Sequence, residues 1–368
     1  NHFSQHPYNV SERICNLITF VHYLKFSDQN KLKYDKELII NLIKTDLLYL
    51  IDHLEYPASG ILNNHIINNC RAIYIGGHFF QSSQVINIAK CLFKLNIDKV
   101  LSNDGVLDEA SIHYHFLITK NIIEIKLVAE ENDDKDFSEY LKKIIDQLLQ
   151  SCYFFLNEGR INFTNLPKIG DLSPDLPFEW FNPFKENYGW TDIWNFNYKD
   201  YNYKNDKKIS ELNGWVRLNK DNWTIFSNLH ENYSSYPIGH GHNDYTSFCL
   251  YYKSLPLLVD VGRYSYDDKH NIADMSILAE NHSSILIDGK PIINSGFGTG
   301  LNYVRSSFSR KRCSHGYNNK KILWRGKTAR GVEWQRTIEI IDSKTLNIID
   351  EILNNSSSTL SQIFIPSD

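Results

Sequence analysis

No run of apolar residues in this sequence approaches the length of a bilayer span, which sets aside a helical membrane protein. Cysteine is sparse and unpaired in pattern: Cys15, Cys70, Cys91, Cys152, Cys249 and Cys313 include no Cys-x-x-Cys. That spacing argues against a disulfide framework and against a structural cysteine-zinc site. Four of the six fall in apolar helical patterns and read as buried free thiols. There is no Gly-rich phosphate loop, no nucleophile elbow and no kinase signature. No repeat of fixed period is present either. An excess of charge of one sign is also missing. With 39 Lys and Arg against 43 Asp and Glu the net charge is −4, a balance that disfavours nucleic acid as the main partner. The chain opens NHFSQHPYNV, with neither a Met nor a signal-like apolar segment, and closes on SQIFIPSD just after strand-like segments. Both ends read as trimmed, and the compartment stays unassigned.

What is present divides in two. At 368 residues the chain is long for one core, so two domains are the default. Tyr, Phe and Trp are on the high side, which serves a core and also suits stacking on sugar rings. Residues 1–156 carry helical periodicity in six segments, from SERICNLITFVHYLKF, capped by Ser11, to DFSEYLKKIIDQLLQSCYFFL. Short connections between them predict antiparallel helix pairs. Residues 157–207 are rich in Pro, Gly, Asp and aromatics without period, and read as an ordered linker. From 208 to 368 strands alternate with turn residues, as in GWVRLNKDNWTIFSNL and VEWQRTIEIIDSKTLNIIDEIL. That pattern predicts an antiparallel sheet or sandwich.

The chemistry-bearing stretch is IGHGHNDYTSFCLYYKSLPLLVDVGRYSY. Read as a strand, it puts His240, His242 and Asp244 on one face, then after an apolar strand offers Asp260 and Tyr264. Titratable groups side by side are costly to bury without a partner, and a metal ion or an acidic substrate would supply one. His240, His242 and Asp260 are the strongest metal candidate: imidazole and carboxylate suit zinc, and two His two apart on a strand can converge on one ion. His282, which begins an apolar strand in AENHSSILIDGK, offers a further nitrogen. The plainer alternatives are an exposed His-rich turn and an Asp260 that only closes the turn before Gly262. Tyr264 is either an interface aromatic or a phenol aimed at a ligand.

In the helical half, asparagines at 63, 64, 68 and 69 crowd around His65 in NNHIINN, although Asn is a poor helix former. A capped helix end explains them as well as a polar site does. His113, Tyr114 and His115 follow one another on another helix, where neighbours point in different directions, so one of them is packing. Arg305, Arg310, Lys311, Arg312, Lys320 and Lys321 form a basic stretch that is either a solvated loop or an attractor of polyanions.

Taken together, the His-x-His-x-Asp segment, the PLLVDVGRYSY segment and HSSILIDG resemble the heparinase II/III-like family of polysaccharide lyases. The helical half agrees in order through NNHIINNCRAIYIGGHFF, LSNDGVLDEASIHYHFL and GRINFTNLPKIGD. The resemblance runs from about residue 10 to 350. It implies an α+β chain: an N-terminal incomplete (α/α) toroid followed by a C-terminal antiparallel β-sandwich or sheet domain, here cut short at its end. It implies a bacterial enzyme that cleaves a uronic-acid polysaccharide, such as a capsule glycan, by β-elimination, with no nucleic acid partner and no organic cofactor. By motif position Asn64 and His65 match the residues that receive the substrate carboxylate. Tyr114 matches the catalytic tyrosine, His240 the histidine opposite it, and Tyr264 a further active-site tyrosine. Asn68, His113 and Arg310 are the candidate substrate contacts. His242, Asp260 and His282 match the ligands of a structural zinc found in some members. Where some members carry an acidic residue one helical step after the His of the Asn-His motif, this chain has Asn68. Two other readings stand beside this one: a non-catalytic glycan-binding or assembly protein on the same scaffold, and a glycoside hydrolase drawing on Asp104, Asp108 or Glu109. The last would need two carboxylates flanking the bond.

Overall fold

The computed structural model describes residues 3–26, 35–56, 62–172, 178–184, 190–203, 211–229, 240–263, 276–292, 313–354 and 357–367. The chain is of mixed α+β class and divides into two compact units. The first comprises residues 1–108, 117–149 and 191–202, and the second 109–116, 150–190 and 203–368.

All six expected helices form: α1 (Pro7–Phe26), α2 (Lys36–Asp52), α3 (Asn64–Phe79), α4 (Ser83–Val100), α5 (Ile112–Glu131) and α6 (Lys135–Phe155). Within the first unit α3 packs against α1, α2 and α4. It is buried on nearly every side, from Ile66 and Ile67 to Gly76 and Gly77, as a central helix must be. Asn63 caps it, its side chain accepting from the His65 N–H at 3.1 Å. Ser11 does not cap α1. The helix starts earlier, at Pro7, a residue suited to a first turn, and the Ser11 hydroxyl donates to the Pro7 carbonyl at 2.9 Å.

The polar residues of α3 are not stranded in this core. Arg71 reaches Glu12 at 3.2 Å, Glu124 at 3.4 Å and the Cys15 sulfur at 3.3 Å, and also bonds Asn121. These contacts tie α3 to α1 and α5, because a guanidinium so deeply buried must be paired. Burial pushes the Cys15 thiol up to about 12. Of the four thiols expected inside helices, Cys15, Cys70 and Cys152 are buried, but Cys91 is exposed because it lies on the outer face of α4. Among the described residues all cysteines are free, and no helix is long and apolar enough to cross a membrane.

The second unit holds three antiparallel sheets. Strands β1 (Glu211–Leu212), β2 (Trp215–Lys220), β3 (Trp223–Asn228), β4 (Cys249–Tyr252) and β5 (Leu255–Leu258) follow one another in a meander. β6 (Ile285–Ile287) and β7 (Lys290–Pro291) form a second sheet that ends on β12 (Leu360–Gln362). β8 (Cys313–Tyr317), β9 (Lys321–Lys327), β10 (Glu333–Ile340) and β11 (Leu346–Ile352) form the third. One apolar cluster joins them, including Val216, Ile225, Leu250, Ile285, Trp324, Trp334 and Ile338. Register decides that membership: inward residues alternate along β9 and β10, so a slip of one residue would turn the tryptophans outward.

Three local expectations change. The apolar run before Asp260 is a hairpin, β4 and β5, turned at Lys253 and Ser254, which both adopt positive φ. His240, His242 and Asp244 do not lie on a strand; they precede β4 in irregular chain. His282 likewise precedes β6, at the end of a short 3-10 helix, rather than beginning it.

Candidate active site

The irregular chain at 240–244 is held by a residue far away in sequence. Asp171 accepts from His240 Nδ1 and from His242 Nε2, both at 2.9 Å. It accepts also from Arg263 at 3.1 Å. Two imidazoles two residues apart thus converge on one carboxylate without needing a strand. The Asp171 N–H donates to the His240 carbonyl at 2.9 Å, closing a second link between the same segments. Burial disfavours charge on Asp171, yet the bonds from His240 and His242 hold its carboxyl well below the usual range. The other His240 nitrogen, Nε2, lies 3.2 Å from a carboxylate oxygen of buried Glu109. Burial alone would favour a neutral ring, but the Asp171 and Glu109 bonds outweigh it and raise His240 to about 9.

Tyr114 lies flat on this imidazole, with ring centroids 3.6 Å apart and 14° between the planes. Its place is set by the start of α5. Ser111 accepts from the Tyr114 N–H at 3.1 Å and donates its hydroxyl to the Asp171 carbonyl at 2.7 Å. One short segment, Ile169–Gly170–Asp171, therefore registers both the tyrosine and the histidine. Gly170 has φ +81, and a Cβ there would stand 2.3 Å from the Ala110 carbonyl oxygen.

Next to this pair lies the His/Asp/His group, which takes His282 and not His240, because both His240 nitrogens face Glu109 and Asp171. His242, Asp260 and His282 are all buried, and each offers a donor atom within 4.8 Å of the others. Asp260 accepts from His282 Nδ1 at 2.8 Å and from the Gly262 N–H at 3.0 Å, so it closes the turn and joins the cluster at once. Burial opposes charge on both partners, but each holds the other charged: His282 moves up and Asp260 down. Asp244, buried beside them, moves up through desolvation, with the nearby Asp260 charge adding to it. Among the described residues His242 Nδ1 and His282 Nε2 have no hydrogen-bond partner. Since Asp171 and Asp260 take hydrogens from the opposite nitrogens, these two are the ones that offer lone pairs once each ring gives up its second proton, as it must to ligate a metal. Imidazole nitrogen plus carboxylate oxygen is a donor set zinc accepts.

The remaining candidates are distributed as follows. Asn64 and His65 open α3 in the first unit, with Asn68 fully buried one turn on. His113 is buried edge-on against Phe181, and burial lowers it to about 3, assisted by the charge of His240. His115 packs against Phe155. Tyr264 and Arg310 lie outside the described residues. Sequence reasoning does not single out Asp171. Its only signal is its place at the end of GRINFTNLPKIGD.

A family model of the heparinase II/III-like C-terminal domain matches residues 208–364. The β part of this chain is a heparinase II/III-like domain. No curated protein matches the sequence. Among solved structures, heparinase III superposes with a TM-score of 0.68 at 14% identity, over 95% of this chain and 55% of that one. A mutant of the heparan sulfate lyase HepC from Pedobacter heparinus gives 0.64 at 16% identity, over 97% of this chain and 55% of that one. At such identities the likeness is one of fold. The chain spans about half the length of each. The heparinase-like domain supplies His240, His242, Asp260 and His282 from within the matched residues, whereas Glu109, Tyr114 and Asp171 precede them.

Proposed function

We propose that this chain is a polysaccharide lyase that cleaves a uronic-acid-containing glycan by β-elimination. The observation that carries the reading is the stacked Tyr114–His240 pair, with both imidazole nitrogens on carboxylates. Its fold likeness to a heparan sulfate lyase supports the same chemistry. Removing the C5 proton of a uronate adds negative charge next to an existing carboxylate, so donors must offset that charge first. Asn64 and His65 are assigned this task by motif position.

Tyr114 is assigned the proton transfers. As the phenolate its oxygen takes the C5 proton, the C4–O4 bond breaks with its electron pair leaving on O4, and a C4=C5 double bond forms. Tyr114 delivers a proton to O4 and ends as it began. His240 is not given the base role, because carboxylates only accept and leave neither of its nitrogens a lone pair for C5. It anchors the Tyr114 ring and places positive potential beside the phenol oxygen. The same geometry disfavours hydrolysis: Glu109 and Asp171 are buried and engaged by the imidazole rather than flanking a bond.

The test is a panel of uronate polysaccharides followed by ultraviolet absorbance of the conjugated double bond. Rising absorbance on at least one glycan is expected. Measurable binding with no absorbance change on any glycan would instead favour a non-catalytic glycan-binding protein.

His242, Asp260 and His282 are assigned a zinc ion with a structural role, tying three segments of the second unit together. When bound, zinc supplies charge and rigidity at that point, and Asp171 orients the His242 ligand from behind. Wild type dialysed against zinc is expected to retain one ion per chain by atomic emission, and His282→Ala to lose at least about tenfold in affinity. Equal zinc content in the two proteins would remove the assignment.

A further inference from the structure

We infer that Glu55 is a positioning residue for His65, fixing which nitrogen of that ring meets a carboxylate ligand. This rests on the role given to His65 above. His65 is the second residue of α3, and its ring Nδ1 lies 2.9 Å from Glu55 Oε1. Glu55 comes from the segment between α2 and α3, so nothing in the helical pattern announces the pair. Burial works against charge on Glu55, but the bond from His65 outweighs it and keeps the carboxyl below its ordinary range. An ionised carboxylate only accepts, so the hydrogen must sit on Nδ1. Among the described residues no group bonds Nε2, and the side chain is 27% exposed. Nε2 is thus the nitrogen the ring offers outward.

Glu55 is itself held in place. Its N–H donates to Asn69 Oδ1 at 3.0 Å, and Asn69 Nδ2 donates to Ser11 Oγ at 3.0 Å and reaches Glu55 Oε2 at 3.5 Å. Asn69 is four residues after His65 and so lies on the same helix face. The buried Asn69 therefore ties the carboxylate to the helix that carries the imidazole. Tyr8 packs on the ring at 4.6 Å between centroids, and His6 Nε2 approaches the same Glu55 oxygen at 3.4 Å. The histidine is fixed by its backbone, one ring face and one nitrogen.

A carboxylate ligand arriving at Nε2 needs a proton there, and the ring is then positive. An anion already bonded to Nδ1 stabilises that form and keeps the ring from turning. Removing the Glu55 carboxylate takes away both effects.

The experiment is nitrogen-15 NMR of protein labelled at histidine, with the His65 resonances assigned by their loss in His65→Gln. Spectra are taken as a pH series, and the tautomer is read from the neutral-ring signals. Wild type is expected to show the Nδ1–H tautomer, Glu55→Ala the Nε2–H tautomer that free histidine prefers, and Glu55→Gln, which keeps an acceptor, the wild-type pattern. Nε2–H in the wild type, or an unchanged tautomer in Glu55→Ala, overturns the inference. The wild-type spectrum alone decides if Glu55→Ala does not fold. On a cleaved glycan, Glu55→Ala is expected to lose at least about tenfold in kcat/KM. An inactive wild type with the expected tautomers would sink the lyase reading and leave this inference standing. An active wild type whose tautomer ignores Glu55 would do the reverse.

Discussion

Gly170→Ala is expected to destabilise the second unit by about 2–5 kcal/mol, the sum of a left-handed backbone cost and an overpacking cost. At φ +81 an alanine is strained whatever the surroundings, and here its Cβ would meet the Ala110 oxygen at 2.3 Å, the His240 oxygen at 2.9 Å and Ser111 Cα at 3.0 Å. All three are backbone atoms, so no rotamer change relieves the clash. Gly159 supplies the control. It has φ +80, but nothing lies within 4 Å of the place an alanine methyl would take, so Gly159→Ala should show only the backbone cost, about 1–2 kcal/mol. Urea unfolding of the two variants separates the two contributions. Equal losses at the two positions would contradict the close approach at Gly170. Because the Gly170 segment also registers Tyr114 and His240, Gly170→Ala should lose activity beyond its loss of folded protein.

Tyr114→Phe is expected to fold normally and to lose about 10²–10⁴-fold in turnover. The substitution removes one oxygen and keeps the ring, so the stack on His240 at 3.6 Å is preserved. Tyr114 is only 8% exposed, and its backbone N–H stays bonded to Ser111. Thermal unfolding close to that of wild type, together with unchanged glycan binding and lost cleavage, is the pattern a proton-transfer residue gives. Retained cleavage would move the proton transfers to another group and remove the mechanism argued above.

The helices are legible in the sequence because apolar residues recur at helical spacing over long windows, and the strands because inward residues alternate between clear turns. The cluster at His242, Asp260 and His282 is legible as residue types, although the expected strand at 240–244 is irregular chain. What organises the site is not legible. Asp171 sits in aperiodic sequence and meets its histidines across separations of 69 and 71 residues. Gly170 matters because three backbone segments converge on it, and no local pattern encodes convergence. Glu55 escapes sequence reasoning for the same reason: it belongs to a connection, and its partner is on the next helix. The alternating histidines mark where chemistry can gather, and the long-range carboxylates decide how those histidines are held.

Elimination and hydrolysis differ in what water contributes, and that difference gives the most direct test. The protein is incubated with a cleaved uronate glycan in water enriched in heavy oxygen, and the oligosaccharide products are weighed by mass spectrometry. Elimination predicts a new non-reducing end lighter than a hydrolysis product by one water, with no heavy oxygen incorporated. Products of full hydrolytic mass carrying one heavy oxygen at the cleaved bond would contradict the account.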